Sequence, residues 1–385
     1  MTIYADNAAT TKMSRTAIDA MLPYMETYYG NPSSLHSVGQ KAAEALQSAR
    51  ERIAACLGCQ PREITFTSGG SEADNQALLS AAKLGARKGK KHIISTAFEH
   101  HAILHSLKRL EKEGFEVELL PVGETGTITA QQVRDAIRDD TCLVTIMYAN
   151  NEIGSILPIA EIGAVCKEKG VLFHTDAVQA VGKVQMDLKN MPIDMLSLSG
   201  HKLHAPKGVG ALYVRRGVRF HPFIIGGHQE RGRRAGTENV ASIVALGKAA
   251  ELAKANFATE NTKVKALRDK LETALLQLPS TRLNGDVEHR LPNTSNISFE
   301  YIEGESILML LNMYGICASS GSACTTGSLE PSHVLRAMGV PYTAAHGAIR
   351  FSFSRYNTGE EVDFVLEKLP PVIARLREIS PYWKN

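Results

Sequence analysis

No stretch of this 385-residue sequence is apolar over the roughly 20 residues a helix needs to cross a bilayer, so no membrane helix is expected. The opening residues, MTIYADNAATT, lack a basic segment followed by an apolar core, so no secretory leader is expected and the default compartment is the cytoplasm. Charge of one sign is missing as well. Lys and Arg number 43 against 40 Asp and Glu, a net charge of +3, and this balance calls for neither nucleic acid nor an anionic membrane as partner. Cysteine is sparse: the six residues Cys56, Cys59, Cys142, Cys166, Cys317 and Cys324 are scattered, unlike a disulfide framework. Cys56 and Cys59 have C-x-x-C spacing, but no second pair or H-x3-H completes a zinc set. They read as a thiol pair at a helix end, and no metal site is assigned. Internal repeats and low-complexity tracts are absent too.

What remains is the composition of an ordinary globular protein, long enough for a large core and two domains. After an extended lead-in (1–12), a helix is expected over 14–28. A turn-rich stretch, 29–37 (YGNPSSLHS), follows and is either a plain connection or a substrate-side loop; a helix over 40–56 comes next. Short apolar runs then recur at 64–67, 92–96, 117–122, 142–147, 171–176, 195–199 and 210–214. Helical stretches lie between them at 71–84, 101–113, 130–137 and 159–169. Seven such strands alternating with helices imply an α/β fold with a mainly parallel sheet covered on both faces. A helix over 240–254 closes this unit (13–255). Beyond it come a polar helix over 256–278, helices over 304–313 and 360–379, and shorter mixed elements. They mark a smaller α+β domain, 256–385, with residues 1–12 packed on it.

In open parallel sheets ligands collect at the carboxyl ends of the strands, and the chemistry-bearing residues fall there. Gly70 and Ser71 open a helix after the first strand, where free N–H groups either bind an anion or are simply capped. The G-K-[ST] ending of a P-loop is missing. His100 follows the second strand; it can stack on a ring and move protons, or be satisfied locally. Asn151 follows the fourth. Asp176 ends the fifth, with Gln179 just beyond; a carboxylate at the end of an apolar strand needs a partner such as a protonated ring nitrogen, or serves as a helix cap. The sixth strand runs into SGHKLHAPKG, carrying Ser199, His201 and Lys202. A lysine in that position, made nucleophilic by desolvation, points to a Schiff base with a carbonyl cofactor, pyridoxal phosphate. Cys324 lies in a Gly- and Ser-rich run that offers no apolar pocket and reads as an exposed, mobile, reactive thiol. Arg350, in an apolar run, is either a buried ion-pair partner or a fork for a substrate carboxylate.

The motifs DNAATT, GNPSSLHS, TSGGSEADN, HTDAVQ, SGHKLHAPKG, RRAGTEN and SSGSACTTGSLEPSHV, with the ending SPYWKN, resemble the NifS/IscS-type cysteine desulfurases, the NifS branch most. The likeness spans essentially the whole chain. It implies a fold-type I pyridoxal-phosphate transferase, a homodimer with its sites at the subunit interface. By that resemblance Lys202 is the Schiff-base lysine, Asp176 pairs with the ring nitrogen, Gln179 lies near the phenolic oxygen, and His100 stacks on the ring and assists proton transfer. Ser71, Ser199, His201 and the amide of Gly70 cradle the phosphate, and Thr237 reaches it from the other subunit. Asn151, beside the cofactor, and Arg350 hold the substrate carboxylate. Cys324 accepts sulfur from L-cysteine as a persulfide, leaving L-alanine. The resemblance further implies delivery to a NifU- or IscU-like scaffold for iron–sulfur cluster assembly, the NifS-like ending favouring nitrogen fixation. A selenocysteine lyase or another fold-type I enzyme is the competing reading. Ser71 stands where many relatives have Thr, and either hydroxyl can serve.

Overall fold

The computed structural model describes residues 2–320 and 331–383. Cys324 lies outside the described residues. Among those residues the strands, in chain order, are β1 (Ile3–Tyr4), β2 (Ile64–Thr67), β3 (His92–Thr96), β4 (Glu116–Leu120), β5 (Thr141–Thr145), β6 (Leu172–Asp176), β7 (Met195–Ser199), β8 (Gly210–Val214), β9 (Thr281–Asn284), β10 (Thr294–Phe299), β11 (Ile316–Cys317) and β12 (Ala348–Ser352). The seven apolar runs form one sheet in the order β2-β8-β7-β6-β5-β3-β4.

Neighbours from β7 to β4 run parallel, whereas β8 is antiparallel to both β7 and β2. The reason is length. A parallel return needs a crossover of about a dozen residues or more, and only residues 200–209 separate β7 from β8. That short connection is the lysine turn itself.

Strands β2, β3, β5, β7 and β8 are buried along their whole length, as expected for a sheet with helices on both faces. Alternate residues feed two cores. Ile93, Leu143, Met195 and Leu212 pack with the helices Gly70–Ala86 and His101–Lys112. Ile94, Val144, Phe173, Leu196 and Tyr213 pack with Ser37–Leu57, Ala130–Ala136, Ile159–Lys169 and Val240–Ala255. The edge strand β4 exposes Glu116, a charge that blunts the open edge.

A third core unites β1 with the C-terminal elements. Ile3 and Ala5 pack with Leu271, Ile297, Phe351 and the apolar face of Gly359–Glu378. The antiparallel order there is β12-β10-β9, and β1 pairs in parallel with β11.

Three departures from the sequence pattern have local causes. The expected helix over 14–28 divides into Arg15–Met21 and Pro23–Glu26, because Pro23 cannot donate its backbone nitrogen and starts a new helix at its first position. The helix expected over 256–278 contains a wide π-type segment, Glu260–Val264, before Lys265–Leu275. Two five-residue helices, His333–Ala337 and Tyr342–His346, are too short to show a period.

Candidate active site

A cavity of ≈ 280 Å³ opens at the carboxyl ends of β3, β5, β6 and β7. Gly70, Ser71, His100, Asn151, Asp176, Gln179, Ser199, His201, Lys202 and Arg350 all line it. Glycine at 70 is required by close approach: a Cβ there would lie 2.7 Å from Val178 Cγ2. The helix it begins, Gly70–Ala86, has no side-chain cap, so its first N–H groups face the cavity as an anion site.

Lys202 ends the tight turn Gly200–Lys202 that follows β7. Its Nζ donates to the carbonyls of Ala8 (2.5 Å) and Ala9 (2.8 Å). The same N-terminal segment grips the rest of the turn. Thr11 Oγ1 donates to the His201 carbonyl at 2.7 Å, and Thr10 Oγ1 pairs with His201 Nδ1 at 3.1 Å. Burial, with Lys202 second, pulls the His201 pKa down to about 4.

Asp176, at the tip of β6, is 6% exposed and accepts from the Val178 N–H at 2.9 Å. Burial pushes its carboxyl up to about 6, while the Lys202 charge opposes the rise. Gln179 donates to the Ala8 carbonyl at 2.9 Å, and its Oε1 is buried without a partner. His100 caps the helix His101–Lys112, its Nδ1 accepting from the Ala102 N–H at 3.1 Å. That bond places the neutral ring's proton on Nε2. Burial first, and Lys202 second, pull the His100 pKa down to about 4, so the ring is neutral at pH 7.

On the opposite wall Arg350 is 2% exposed. It donates to the Asn151 carbonyl (2.9 Å) and pairs with Asp6 (2.8 Å). Glu152, raised by burial, accepts from Ser332 Oγ at 2.5 Å, and His333 Nε2 lies 3.0 Å from the Glu99 carbonyl. Nothing in the spacing singles out Asp74, Glu152, His101 or His333, which also line the cavity. Asp74 and His333 lie within quoted motifs, but only the fold shows that all four face the cavity.

Thr237 is not brought to this cavity. It is exposed and lines a separate one of ≈ 270 Å³ with Ser68 and Arg234. The loop 29–37 lines neither cavity; Leu35 there is 94% exposed. Cys56 and Cys59 pack against the core, and burial holds their thiols at about 11 and about 12, the protonated form. Among the described residues no group of three or more His, Cys, Asp or Glu is placed to hold a metal, and no helix is long and apolar enough to cross a membrane.

The donor set therefore fits a ligand with an anionic end at the helix terminus, a cationic ring atom over Asp176, a polar group at the orphaned Gln179 oxygen and a carbonyl within reach of Lys202.

The model of the aminotransferase class-V family matches residues 3–365. A cysteine desulfurase from a Nostoc strain is 56% identical over 381 residues, 99% of this chain and 95% of the relative. The cysteine desulfurase NifS of Azotobacter vinelandii is 55% identical over 385 residues, 100% of this chain and 95% of its own. A solved NifS-like protein superposes with a TM-score of 0.92 at 40% identity, covering 98% of this chain and all of that one.

Proposed function

We propose the roles of individual residues from one premise: the chain belongs to the class-V aminotransferase family and is a cysteine desulfurase, with pyridoxal 5′-phosphate as its cofactor. It removes sulfur from L-cysteine and leaves L-alanine. When bound, pyridoxal phosphate supplies an aldehyde for an amine and a ring that stores an electron pair released at Cα.

The Lys202 amine would hold the aldehyde and, in its free form, would carry protons. The carboxylate of Asp176 holds the ring nitrogen in its protonated form. Gln179 presents its orphaned oxygen to the polar edge of the ring. The Gly70 amide, Ser71, Ser199 and His201 hold the phosphate, with Thr237 reaching it from a second copy of the chain. Asn151 and the braced guanidinium of Arg350 orient the substrate carboxylate. His100, neutral with its proton on Nε2, accepts or donates at that end of the cavity. Cys324 as thiolate bonds the substrate sulfur as the carbon–sulfur bond breaks, and keeps it as a persulfide.

The observation that carries this reading is the convergence of Lys202, Asp176, His100 and the uncapped helix terminus on one cavity. A homodimer is supported by the exposed apolar side chains Tyr29, Leu35 and Ile225. A division into residues 13–255 and a smaller unit of 1–12 with 256–385 is supported by the core that joins Ile3 to the C-terminal strands. An iron–sulfur scaffold as sulfur acceptor, in the service of nitrogen fixation, is supported by the likeness to the Azotobacter NifS.

The test is incubation of the cofactor-loaded protein with L-cysteine and a thiol reductant, which frees the persulfide sulfur as sulfide, measuring alanine and sulfide together. Equal release of both is expected, and alanine without mobilised sulfur would overturn the reading.

A further inference from the structure

Asp74 lies one turn into the helix Gly70–Ala86 and lines the floor of the cavity. It is 1% exposed, and its Oδ1 has no hydrogen-bond partner. Strand β7, which carries Ser197, the cross-strand neighbour of Asp176, packs against the helix that carries Asp74. Ser197 Oγ lies 2.9 Å from His174 Nε2, and His174 Nδ1 lies 2.9 Å from Thr145 Oγ1. A buried chain of hydrogen bonds thus runs Thr145–His174–Ser197 beneath the site, from β5 through β6 to β7.

The charges acting on Asp74 are both negative, Asp176 on β6 and Glu99 after β3. His174 Nε2 stands 3.8 Å from Asp74 Oδ1, but this wholly buried ring is held neutral by burial. Lys202 acts on Asp176 rather than on Asp74. Two buried carboxyls with no cation between them cannot both ionise. Asp176 has a backbone N–H to stabilise its charge and Lys202 nearby. Asp74 has an orphaned oxygen and no such donor among the described residues, so the proton stays on Asp74. Burial, and then Asp176, raise it well above the usual carboxylate range.

We propose that Asp74 is a positioning residue for the reaction: a protonated carboxyl that packs beside the His174–Ser197 pair and leaves Asp176 as the single carboxylate beneath the cofactor ring. The proposal rests on the reading of Asp176 as the partner of the ring nitrogen. A neutral floor apart from Asp176 matters because a second carboxylate would compete for the ring proton.

The test compares the full chain with Asp74→Asn, Asp74→Ala and Asp176→Asn. In the cofactor-free protein at pH 7, the infrared difference spectrum of Asp74→Asn should show loss of a protonated-carboxyl carbonyl band. Loss of an ionised-carboxylate band instead would overturn the proposal. On titration with pyridoxal phosphate, Asp74→Asn, an uncharged hydrogen-bonding isostere, should keep the affinity and the pH profile of the visible absorbance. Asp74→Ala should alter that pH profile, and a shift in Asp74→Asn equal to that in Asp74→Ala would overturn the proposal. Asp176→Asn should bind the cofactor at least about tenfold more weakly. Unchanged binding there would overturn the premise, and it is distinguishable because the infrared result on Asp74 does not depend on it.

Discussion

Lys202 and Ala8 are joined by a 2.5 Å hydrogen bond from the amine to the carbonyl oxygen, with Ala9 adding a second at 2.8 Å. The two are 194 residues apart in the chain, so the N-terminal segment closes over the lysine turn and orients its amine toward the cavity. An aldehyde must exchange those bonds for a covalent one. Lys202→Ala is expected to lose all borohydride-trappable cofactor, checked by mass spectrometry. It should cost the cofactor-free fold about 1–3 kcal/mol, as the Ala8 and Ala9 carbonyls lose this donor. A trapped adduct at another lysine would refute the assignment.

Replacing Cys324 with Ala separates a desulfurase from a transaminase or lyase on the same fold. The variant should keep cofactor absorbance, because the residues lining the cavity are untouched. Persulfide formation should vanish, and alanine production from L-cysteine should fall by at least about a hundredfold, the scale on which a lost nucleophile acts. Persulfide labelling followed by peptide mapping reads the outcome.

Acid should destabilise the cofactor-free protein partly through His174. Its pKa is pulled down to about 3 by burial, below that of an unfolded histidine near 6.5. The unfolded chain therefore binds the proton more tightly. The stabilisation is complete above about pH 6.5 and is lost as pH falls toward 3, with a limiting slope of about 1.4 kcal/mol per pH unit. His174→Gln should flatten the dependence of unfolding free energy on pH by up to that slope, measured by urea melts at a series of pH values.

Much of this architecture is legible in the sequence, for identifiable reasons. Strands buried on both faces read as unbroken apolar runs, so all seven members of the main sheet stand out, and Lys202, Asp176 and His100 are visible because each ends one. The antiparallel direction of β8 follows from loop length, a cue that apolar pattern alone does not carry. Asp74 stands in the TSGGSEADN motif, but its place in the site is hidden because its inward aim depends on how that helix lies across β6 and β7. Thr237 lines a second cavity of the same chain, apart from the one that holds Lys202.

Gly70→Ala should separate fold from cofactor binding. The added Cβ would meet Val178 Cγ2 at 2.7 Å and Ser199 Cβ at 3.5 Å. The helix start must shift by a fraction of an ångström away from its anion site, while the helix itself gains propensity. Cofactor affinity is expected to fall about tenfold, as for one lost charge-assisted hydrogen bond, with the urea midpoint changed little. Equilibrium titration with pyridoxal phosphate measures the first and denaturant melts the second.

The segment carrying Thr237 is anchored by a buried ion pair. Glu230 meets Arg50 through two bonds of 2.8 and 2.6 Å and also accepts from the Phe66 N–H at 2.9 Å. Arg50 in turn donates to the Ile64 carbonyl, so β2 and this segment share one polar knot. Glu230 and Arg231 adopt left-handed backbone angles, φ 49° and 61°, which cost energy and persist only where contacts hold them. Glu230→Ala would leave the Arg50 charge buried alone and should cost about 3–5 kcal/mol. Pairing Arg50→Met with Glu230→Leu removes both charges and should recover part of that loss. Recovery stops short because the Phe66 N–H stays unsatisfied, a residual penalty of about 1–3 kcal/mol. Urea melts of the three variants decide it: equal destabilisation of the single and double variants would mean that the lost backbone bonds, and not the stranded charge, set the cost.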